Sequence, residues 1–259
     1  MKQFVLPFEP SEGLEEPGEY ELEGRDFHYL VHVRRYSAGD RVPARSPAGR
    51  AWTMSIVSVG RTSCRVALDA SSDTAPTRSE TVFPRLALMP AVTRGRKMDL
   101  VIRQAVEAGA VEIRPLLSRH CQVKLPGEGD RQSRKQRWDR IAVEALQQCG
   151  GSRPAVVDVP RPLEEVLELW NHRGPLLFLH ESRLSSASLH ERLAEPVSDL
   201  AIMVGPEGGF SPGEADRLRS YGAIPIHLGD RVLRAETAAL YGLAAVSTII
   251  REKDAWQPA

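Results

Sequence analysis

The sequence predicts an α/β protein in which a small β-rich domain precedes a larger domain of alternating strands and helices. In the first part of the chain, short alternating strands at 41–45, 50–57 and 63–68 indicate a small β-barrel or sheet. A polar stretch at 70–77 follows them. Beyond it, strand and helix patterns alternate up to residue 250, and this order indicates a mostly parallel sheet with helices on both faces.

The individual elements are predicted from apolar runs and helical periodicity. In the second domain, the predicted strands are 86–89, 111–117, 155–159, 176–179, 201–204 and 224–228. The predicted helices are 97–108, 134–148, 163–170, 187–193, 212–221 and 236–250. In the first domain, Asp26 is predicted to cap a short helix with Phe27, Leu30 and Val33 on one face. The predicted organisation is a first domain over 1–72, a linker over 73–80 and a second domain over 81–259.

Composition excludes several classes of protein. The chain has 259 residues, 42% hydrophobic and 26% charged, which is enough for two folded domains. Its apolar stretch 237–250 is shorter than the roughly 18 residues that span a bilayer, so no membrane partner is expected. Cys64, Cys121 and Cys149 lack paired spacing, so neither a disulfide framework nor a metal site is predicted. The N-terminus lacks an export signal, and a cytoplasmic location is expected.

Charge is unevenly distributed although the formal net charge is zero. Residues 1–30 hold eight acidic and two basic side chains, whereas residues 91–153 hold thirteen basic and seven acidic ones. Clustered cations of this kind supply affinity for a phosphate backbone. For the basic residues of 131–140, an ordinary solvated helix face explains the pattern equally well.

Two glycine-bearing segments near the C-terminus indicate a small-molecule site. Residues 205–210 read Gly-Pro-Glu-Gly-Gly-Phe, and residues 228–237 read Leu-Gly-Asp-Arg-Val-Leu-Arg-Ala-Glu-Thr. Each segment follows a predicted strand and leads into a predicted helix. Glycine lets main-chain groups approach a ligand closely, and loops at the carboxyl ends of parallel strands form the usual ligand crevice. The alternative is a pair of ordinary strand-to-helix turns.

The same two segments carry a resemblance to a known family. Residues 204–210 and 228–238 resemble those of the bacterial 16S ribosomal RNA uridine-N3 methyltransferases, which are S-adenosylmethionine-dependent members of the SPOUT superfamily. Weaker similarity lies in 96–99, 137–145 and 24–35. The resemblance implies a small PUA-like β-barrel followed by a C-terminal SPOUT-type, trefoil-knotted α/β domain. It also implies a homodimer that acts on 16S ribosomal RNA within the small ribosomal subunit, with no DNA partner.

The resemblance further assigns roles to individual residues. S-adenosylmethionine (SAM) is the expected cofactor, and no metal is expected. The expected SAM-binding residues are Leu179, His180, Glu181, Gly205, Pro206, Glu207, Gly208, Gly209, Leu228, Gly229, Arg231, Leu233 and Thr237. The expected RNA-binding residues are Arg25, His28, Arg34, Arg35, Arg94, Arg96, Lys97, Arg137 and Arg153.

Two residues are expected to carry the chemistry. Arg234 is the expected catalytic cation, because a fixed guanidinium beside the uracil carbonyls favours the deprotonated base without titrating itself. The alternative role for Arg234 is a salt bridge to Glu236 or to a dimer partner. Glu207 is expected to orient the cofactor or to accept the proton.

Other function classes fit the sequence less well or remain open. A dinucleotide-binding oxidoreductase is disfavoured, because no Gly-x-Gly-x-x-Gly run follows the first strand of the second domain. A non-catalytic RNA-binding or ribosome-assembly protein with the same fold remains an alternative. So does a SPOUT methyltransferase that acts on another position in RNA.

Overall fold

The computed structural model describes residues 3–10, 18–70, 83–125, 127–151, 154–182 and 188–253. The chain forms two compact units, and each unit is made of two separate segments of the sequence. The first unit comprises residues 1–78 together with 146–154, and the second comprises 79–145 together with 155–259. The predicted linker 73–80 lies entirely outside the described residues, so the linker stays a prediction.

The first unit is built on a five-stranded sheet. Its strands are β1 (Phe4–Val5), β2 (Gly18–Glu23), β3 (Arg41–Arg45), β4 (Ala51–Val59) and β5 (Ser63–Ala70), in the order β1-β3-β4-β5-β2. β1 runs parallel to β3, and the other neighbours are antiparallel. Alternate side chains, among them Val42, Met54 and Val66, are buried in one core. The sequence predicted β3 to β5 but not β1 or β2.

A short helix leads from β2 towards β3. This helix, α1 (Gly24–Phe27), continues as a π-helical segment over His28–Val33. Glu23 occupies the extended position before the helix, and Gly24 takes a left-handed φ of +58°. The predicted cap at Asp26 is therefore wrong, because the helix has already begun there. Phe27 and Leu30 are buried as predicted, whereas Val33 is exposed.

The second unit contains a six-stranded sheet in which every pairing is parallel, as the alternating pattern predicted. Its strands are β6 (Arg85–Pro90), β7 (Glu112–Ile113), β9 (Val156–Val157), β11 (Leu176–Leu179), β12 (Asp199–Val204) and β13 (Ile224–Ile226), in the order β13-β11-β12-β6-β7-β9. A separate two-stranded pair joins β8 (Leu116–Leu117) and β10 (Arg161–Pro162). The predicted α/β class is confirmed.

Six helices accompany these strands along the described chain. They are α2 (Lys97–Glu107), α3 (Glu128–Cys149), α4 (Leu163–Trp170), α5 (Leu189–Arg192), α6 (Pro212–Ser220) and α7 (Ala235–Lys253). α6 begins as predicted, because Ser211 and Glu214 form a reciprocal capping box and Pro212 fills the first helical position. α3 begins six residues earlier than predicted, and α5 is only four residues long. None of the helices in the described part of the chain is long and apolar enough to cross a membrane.

Helix α7 packs against α2 and against the sheet through one apolar face. Ala239, Leu243 and Val246 on that face are fully buried or nearly so. Leu240 and Tyr241 lie on the outward side, where 36% and 52% of each residue is exposed. The helix is therefore a core helix that also presents apolar side chains at the surface.

The amino ends of the strands carry a network of ion pairs. Arg173 donates one hydrogen bond to Glu112 at the start of β7 (2.9 Å) and another to Asp199 at the start of β12 (2.8 Å). Its guanidinium lies over the ring of buried Trp170, 4.6 Å from the centroid. Gly174 follows directly, and a β-carbon there would lie 2.0 Å from the carbonyl oxygen of Asp199. This end of the sheet is closely packed and electrostatically satisfied.

Candidate functional site

A pocket opens at the carboxyl ends of β11, β12 and β13. It is bounded by the loops that follow these strands and by the first turns of α7, and it holds about 750 Å³, counting the space open to solvent. The lining residues are Leu179, His180, Glu181, Val204, Gly205, Pro206, Glu207, Gly209, Phe210, Ile226, Leu228, Gly229, Arg231, Val232, Leu233, Ala235 and Ala238. Because all three strands are parallel, their following loops gather at one edge of the sheet.

All but two of the residues expected to bind SAM line this pocket. The exceptions are Gly208 and Thr237. Gly208 turns its carbonyl outward to His120, and Thr237 lies on the exposed side of α7. Sequence reasoning missed six lining residues: Val204, Phe210, Ile226, Val232, Ala235 and Ala238. These side chains are apolar, and nothing in their local pattern distinguishes them from core residues.

The first loop, 205–210, is tightly folded. A β-carbon on Gly205 would lie 3.3 Å from both the Gly209 carbonyl carbon and the Phe210 ring, and Gly209 takes a left-handed φ of +67°. The Gly209 N–H donates to the Pro206 carbonyl at 2.9 Å. From outside the pocket, His120 Nδ1 lies 3.0 Å from the Gly208 carbonyl oxygen and donates there. The loop conformation is therefore stabilised by a hydrogen bond within the loop and by one from His120 outside it.

The second loop, 228–233, leaves its main chain available. Gly229 has a φ of +118°, a conformation that L side chains rarely adopt. The peptide groups of residues 228–233 make no hydrogen bond with any other described residue. Leu228, Leu233 and Ala238 provide apolar walls beside these free donors and acceptors. The combination suits a ligand with flat apolar faces and a polar edge, such as adenosine.

Three charged side chains meet beside the pocket. Lys97 Nζ, at the first position of α2, donates to Glu207 Oε1 at 2.8 Å and lies 4.0 Å from Glu236 Oε2 in the first turn of α7. The hydrogen bond from Lys97 lowers the pKa of the Glu207 carboxyl below its ordinary value. The same bond raises the pKa of the Lys97 ammonium. Both groups are therefore ionised at neutral pH.

Arg234 lies between two pocket-lining residues, Leu233 and Ala235, with its own side chain exposed. It takes part in none of the ion pairs found among the described residues. The predicted alternative of a salt bridge to Glu236 is not formed, because that carboxylate faces Lys97. The Arg234 side chain is therefore exposed next to two residues that line the pocket, although Arg234 is not itself a lining residue.

The basic residues expected to bind RNA fall into two groups, which belong to different units. In the first unit, Arg25 is on α1, His28 is on the π-helical segment, and Arg34 and Arg35 follow that segment directly. Arg34 donates to the Tyr36 hydroxyl at 3.1 Å. These side chains come from one continuous stretch of the chain, residues 25–35.

In the second unit, Arg94 and Arg96 lie in the exposed loop before α2. Arg137, on α3, forms an ion pair with Asp99 on α2. Lys97 forms the contacts with Glu207 and Glu236 described above, and 37% of its side chain is exposed. Arg153 lies outside the described residues.

Comparisons with known proteins agree with this arrangement. A family model described as an RNA methyltransferase domain matches residues 80–247, and one described as an RNA methyltransferase PUA domain matches residues 22–69. The second match runs from the last residues of β2 into β5 and confirms the predicted PUA-like domain.

Full-length relatives are similar along most of the chain. A Bacillus subtilis protein named ribosomal RNA small subunit methyltransferase E is 28% identical, covering 90% of this chain and 91% of the relative. A Rickettsia conorii protein of the same name is 28% identical over 85% of both chains.

Solved structures share the fold. A methyltransferase from Legionella pneumophila, whose structure contains the bound cofactor SAM, has a TM-score of 0.83 at 25% identity, over 96% of this chain and 98% of that one. A ribosomal RNA small subunit methyltransferase E from Neisseria gonorrhoeae, bound to SAM, has a TM-score of 0.81 at 24% identity and the same coverage. On its sequence, its fold and the family model that matches 80–247, the chain belongs to the RNA methyltransferase family with a PUA domain.

Proposed function

We propose that this protein transfers a methyl group from SAM to N3 of a uridine in 16S ribosomal RNA of the small ribosomal subunit. The observation that carries the proposal is the pocket at the carboxyl ends of β11 to β13, whose lining includes the two glycine-bearing loops that resemble those of the family. The relatives named ribosomal RNA small subunit methyltransferase E support the choice of RNA, and the SAM-bound structures of similar fold support the choice of cofactor.

The pocket offers what SAM requires. Apolar side chains line it for the adenine ring, and the free peptide groups of 228–233 suit the polar edge of that ring. Glu181 and Arg231 also line it, and they can pair with the ammonium and the carboxylate of the methionine part. When bound, SAM supplies a methyl group made electrophilic by its sulfonium.

The protein must also control charge on the base, because the uracil N3 gives up its proton to solvent when it takes the methyl group, and SAM leaves as S-adenosylhomocysteine. We assign this role to Arg234, because its exposed guanidinium favours the anionic base and cannot itself lose a proton at neutral pH. Glu207 is a weak proton acceptor, because its carboxyl has a lowered pKa and is already bound by Lys97. We therefore assign Glu207 to orientation of its loop rather than to proton transfer.

We further propose that the protein acts in the cytoplasm as a homodimer and that its C-terminal domain has the trefoil knot of the family. Leu100 on α2 and Leu240 and Tyr241 on α7 support the dimer, since all three are large, apolar and exposed on helices that pack together. Arg25, His28, Arg34 and Arg35 are assigned to RNA, as are Arg94 and Arg96. Phosphate contacts of this kind predict an RNA affinity that falls steeply with added salt.

Calorimetry with SAM tests the cofactor site. Gly229→Val places a branched side chain where φ is +118°, and it is expected to weaken SAM binding by about tenfold or more. Gly213→Ala on α6 has no atom within 4 Å of its new carbon, so it serves as the control with unchanged affinity. Equal affinities for the two variants would contradict the assignment of this loop.

The catalytic assignment predicts a different signature for Arg234→Ala. Turnover is expected to fall by about a hundredfold while the dissociation constant of SAM changes by less than about threefold, because the guanidinium acts on the base and not on the cofactor. Equal losses in turnover and SAM affinity would show that Arg234 has a binding or folding role instead.

The RNA target is tested in cells. Mass spectrometry of 16S ribosomal RNA from a strain that lacks the gene is expected to show one missing N3-methyluridine, restored by the wild-type gene. Loss of a ribose or other base methylation would instead identify another RNA position. No change in methylation would favour the non-catalytic RNA-binding alternative.

A further inference from the structure

Lys97 joins parts of the chain that are far apart in sequence. It begins α2, whereas Glu207 lies in the first pocket loop and Glu236 in the first turn of α7. Its ammonium donates to Glu207 at 2.8 Å and lies 4.0 Å from Glu236. One cation therefore faces two carboxylates, each from an element that also contributes to the pocket wall.

The Glu236 carboxylate depends on Lys97 for its charge balance. Its side chain is only 12% exposed, and its Oε2 atom is buried without a hydrogen-bond partner among the described residues. A buried carboxylate without a nearby positive charge is costly, which favours its pairing with another cation. Arg234 directly precedes α7, two residues before Glu236, and its side chain is exposed. Without Lys97, Glu236 is expected to pair with the guanidinium of Arg234.

We propose that Lys97 is a positioning residue that holds Glu207 and Glu236 and so keeps the guanidinium of Arg234 free for the RNA base. This inference rests on the proposed function of the site. It replaces the expectation that Lys97 binds RNA, because an ammonium that faces two carboxylates has little net charge left to attract a phosphate. The role of Lys97 is therefore exerted through Arg234, not through contact with a substrate.

Three variants test the proposal: Lys97→Met, Lys97→Arg and the double variant Lys97→Met with Glu236→Gln. The substrate is small ribosomal subunits from a strain that lacks the gene. Turnover, SAM affinity by calorimetry, thermal unfolding, and the salt dependence of subunit binding are measured for each variant. Lys97→Met is expected to lower turnover by about tenfold, the equivalent of one charge-assisted interaction, with SAM affinity changed by less than about threefold.

The double variant is expected to recover part of the lost turnover, because it removes the carboxylate that would capture Arg234. Lys97→Arg keeps the positive charge and is expected to retain most of the wild-type turnover. If Lys97→Met is too unstable to assay, the turnover of Lys97→Arg tests whether a cation at this position is enough. The slope of log affinity against log salt should be unchanged in Lys97→Met, whereas a phosphate contact would reduce it by about one unit.

The outcomes separate the two proposals. A wild-type protein that neither binds SAM nor methylates the subunits refutes the proposed function itself. An active wild type combined with a normal turnover in Lys97→Met overturns only the role of Lys97. So does a reduced salt slope, or a double variant no better than the single one.

Discussion

The two ends of the parallel sheet in the second unit differ in packing and in the pairing of their polar groups. At the amino ends, Arg173 is bound by Glu112 and Asp199, and Gly174 is packed against the backbone of Asp199. At the carboxyl ends, the peptide groups of 228–233 make no hydrogen bond with other described residues. One end of the sheet is therefore optimised for stability, and the other keeps its polar groups for a ligand.

The largest effect that this comparison predicts is at Gly174. In Gly174→Ala, the new carbon would lie 2.0 Å from the Asp199 carbonyl oxygen, so the backbone must move. The free energy of unfolding is expected to fall by about 3 kcal/mol or more, measured by urea denaturation. The control is Gly213→Ala on α6, which is open to solvent and is expected to be neutral or slightly stabilising. If the two variants unfold alike, the amino end is not tightly packed.

A smaller loss of stability is expected when the ion pairs of Arg173 are removed. Arg173→Met leaves two mostly buried carboxylates without their shared cation, and the unfolding free energy should fall by about 1 to 3 kcal/mol. Arg219→Met removes the exposed ion pair to Asp216 on α6 and should cost less than about 0.5 kcal/mol. SAM affinity should be unchanged in both variants. A loss of SAM affinity in Arg173→Met would show that the two ends of the sheet are coupled.

The smallest effect concerns the carboxyl end and its dependence on pH. Because Lys97 lowers the pKa of folded Glu207, the folded state holds this proton less tightly than the unfolded state. The resulting stability is present above the ordinary value of 4.5 and is lost as the pH falls through the lowered pKa. Between about pH 7 and pH 3, the unfolding free energy of the Glu207→Gln variant should therefore fall less than that of the wild type. The difference should be up to about 1 kcal/mol. An identical pH profile for wild type and variant would contradict a stabilising ion pair.

Much of the fold follows from local patterns in the sequence. α4 (Leu163–Trp170) and β11 (Leu176–Leu179) have the predicted bounds, because an amphipathic helix and a short apolar run are both strong local signals. β2 (Gly18–Glu23) was missed, since its glutamate-rich sequence is atypical of a strand. It is formed through its pairing with β5, whose partner residues lie 40 to 50 positions away, so the pairing leaves no local signal.

The part of the candidate site that could be predicted from the sequence is the part where the backbone requires glycine. Gly205, Gly209 and Gly229 mark the two loops, because each stands at a close approach or a left-handed φ. Contacts between distant segments could not be predicted in the same way. His120 holds the first loop from 88 residues away, and Lys97 binds Glu207 across 110 residues. Neither side chain has a sequence neighbourhood that indicates its partner.

Because the peptide groups of residues 228–233 form no hydrogen bond within the described part of the chain, this loop can also report when a ligand is bound. Amide protons that no acceptor protects exchange quickly with heavy water, whereas those in the parallel strands exchange slowly. A ligand that accepts bonds from this segment would slow deuterium uptake there and leave the rest of the sheet unchanged. Deuterium uptake measured at the individual amides of 228–233 can therefore show when a ligand occupies the pocket.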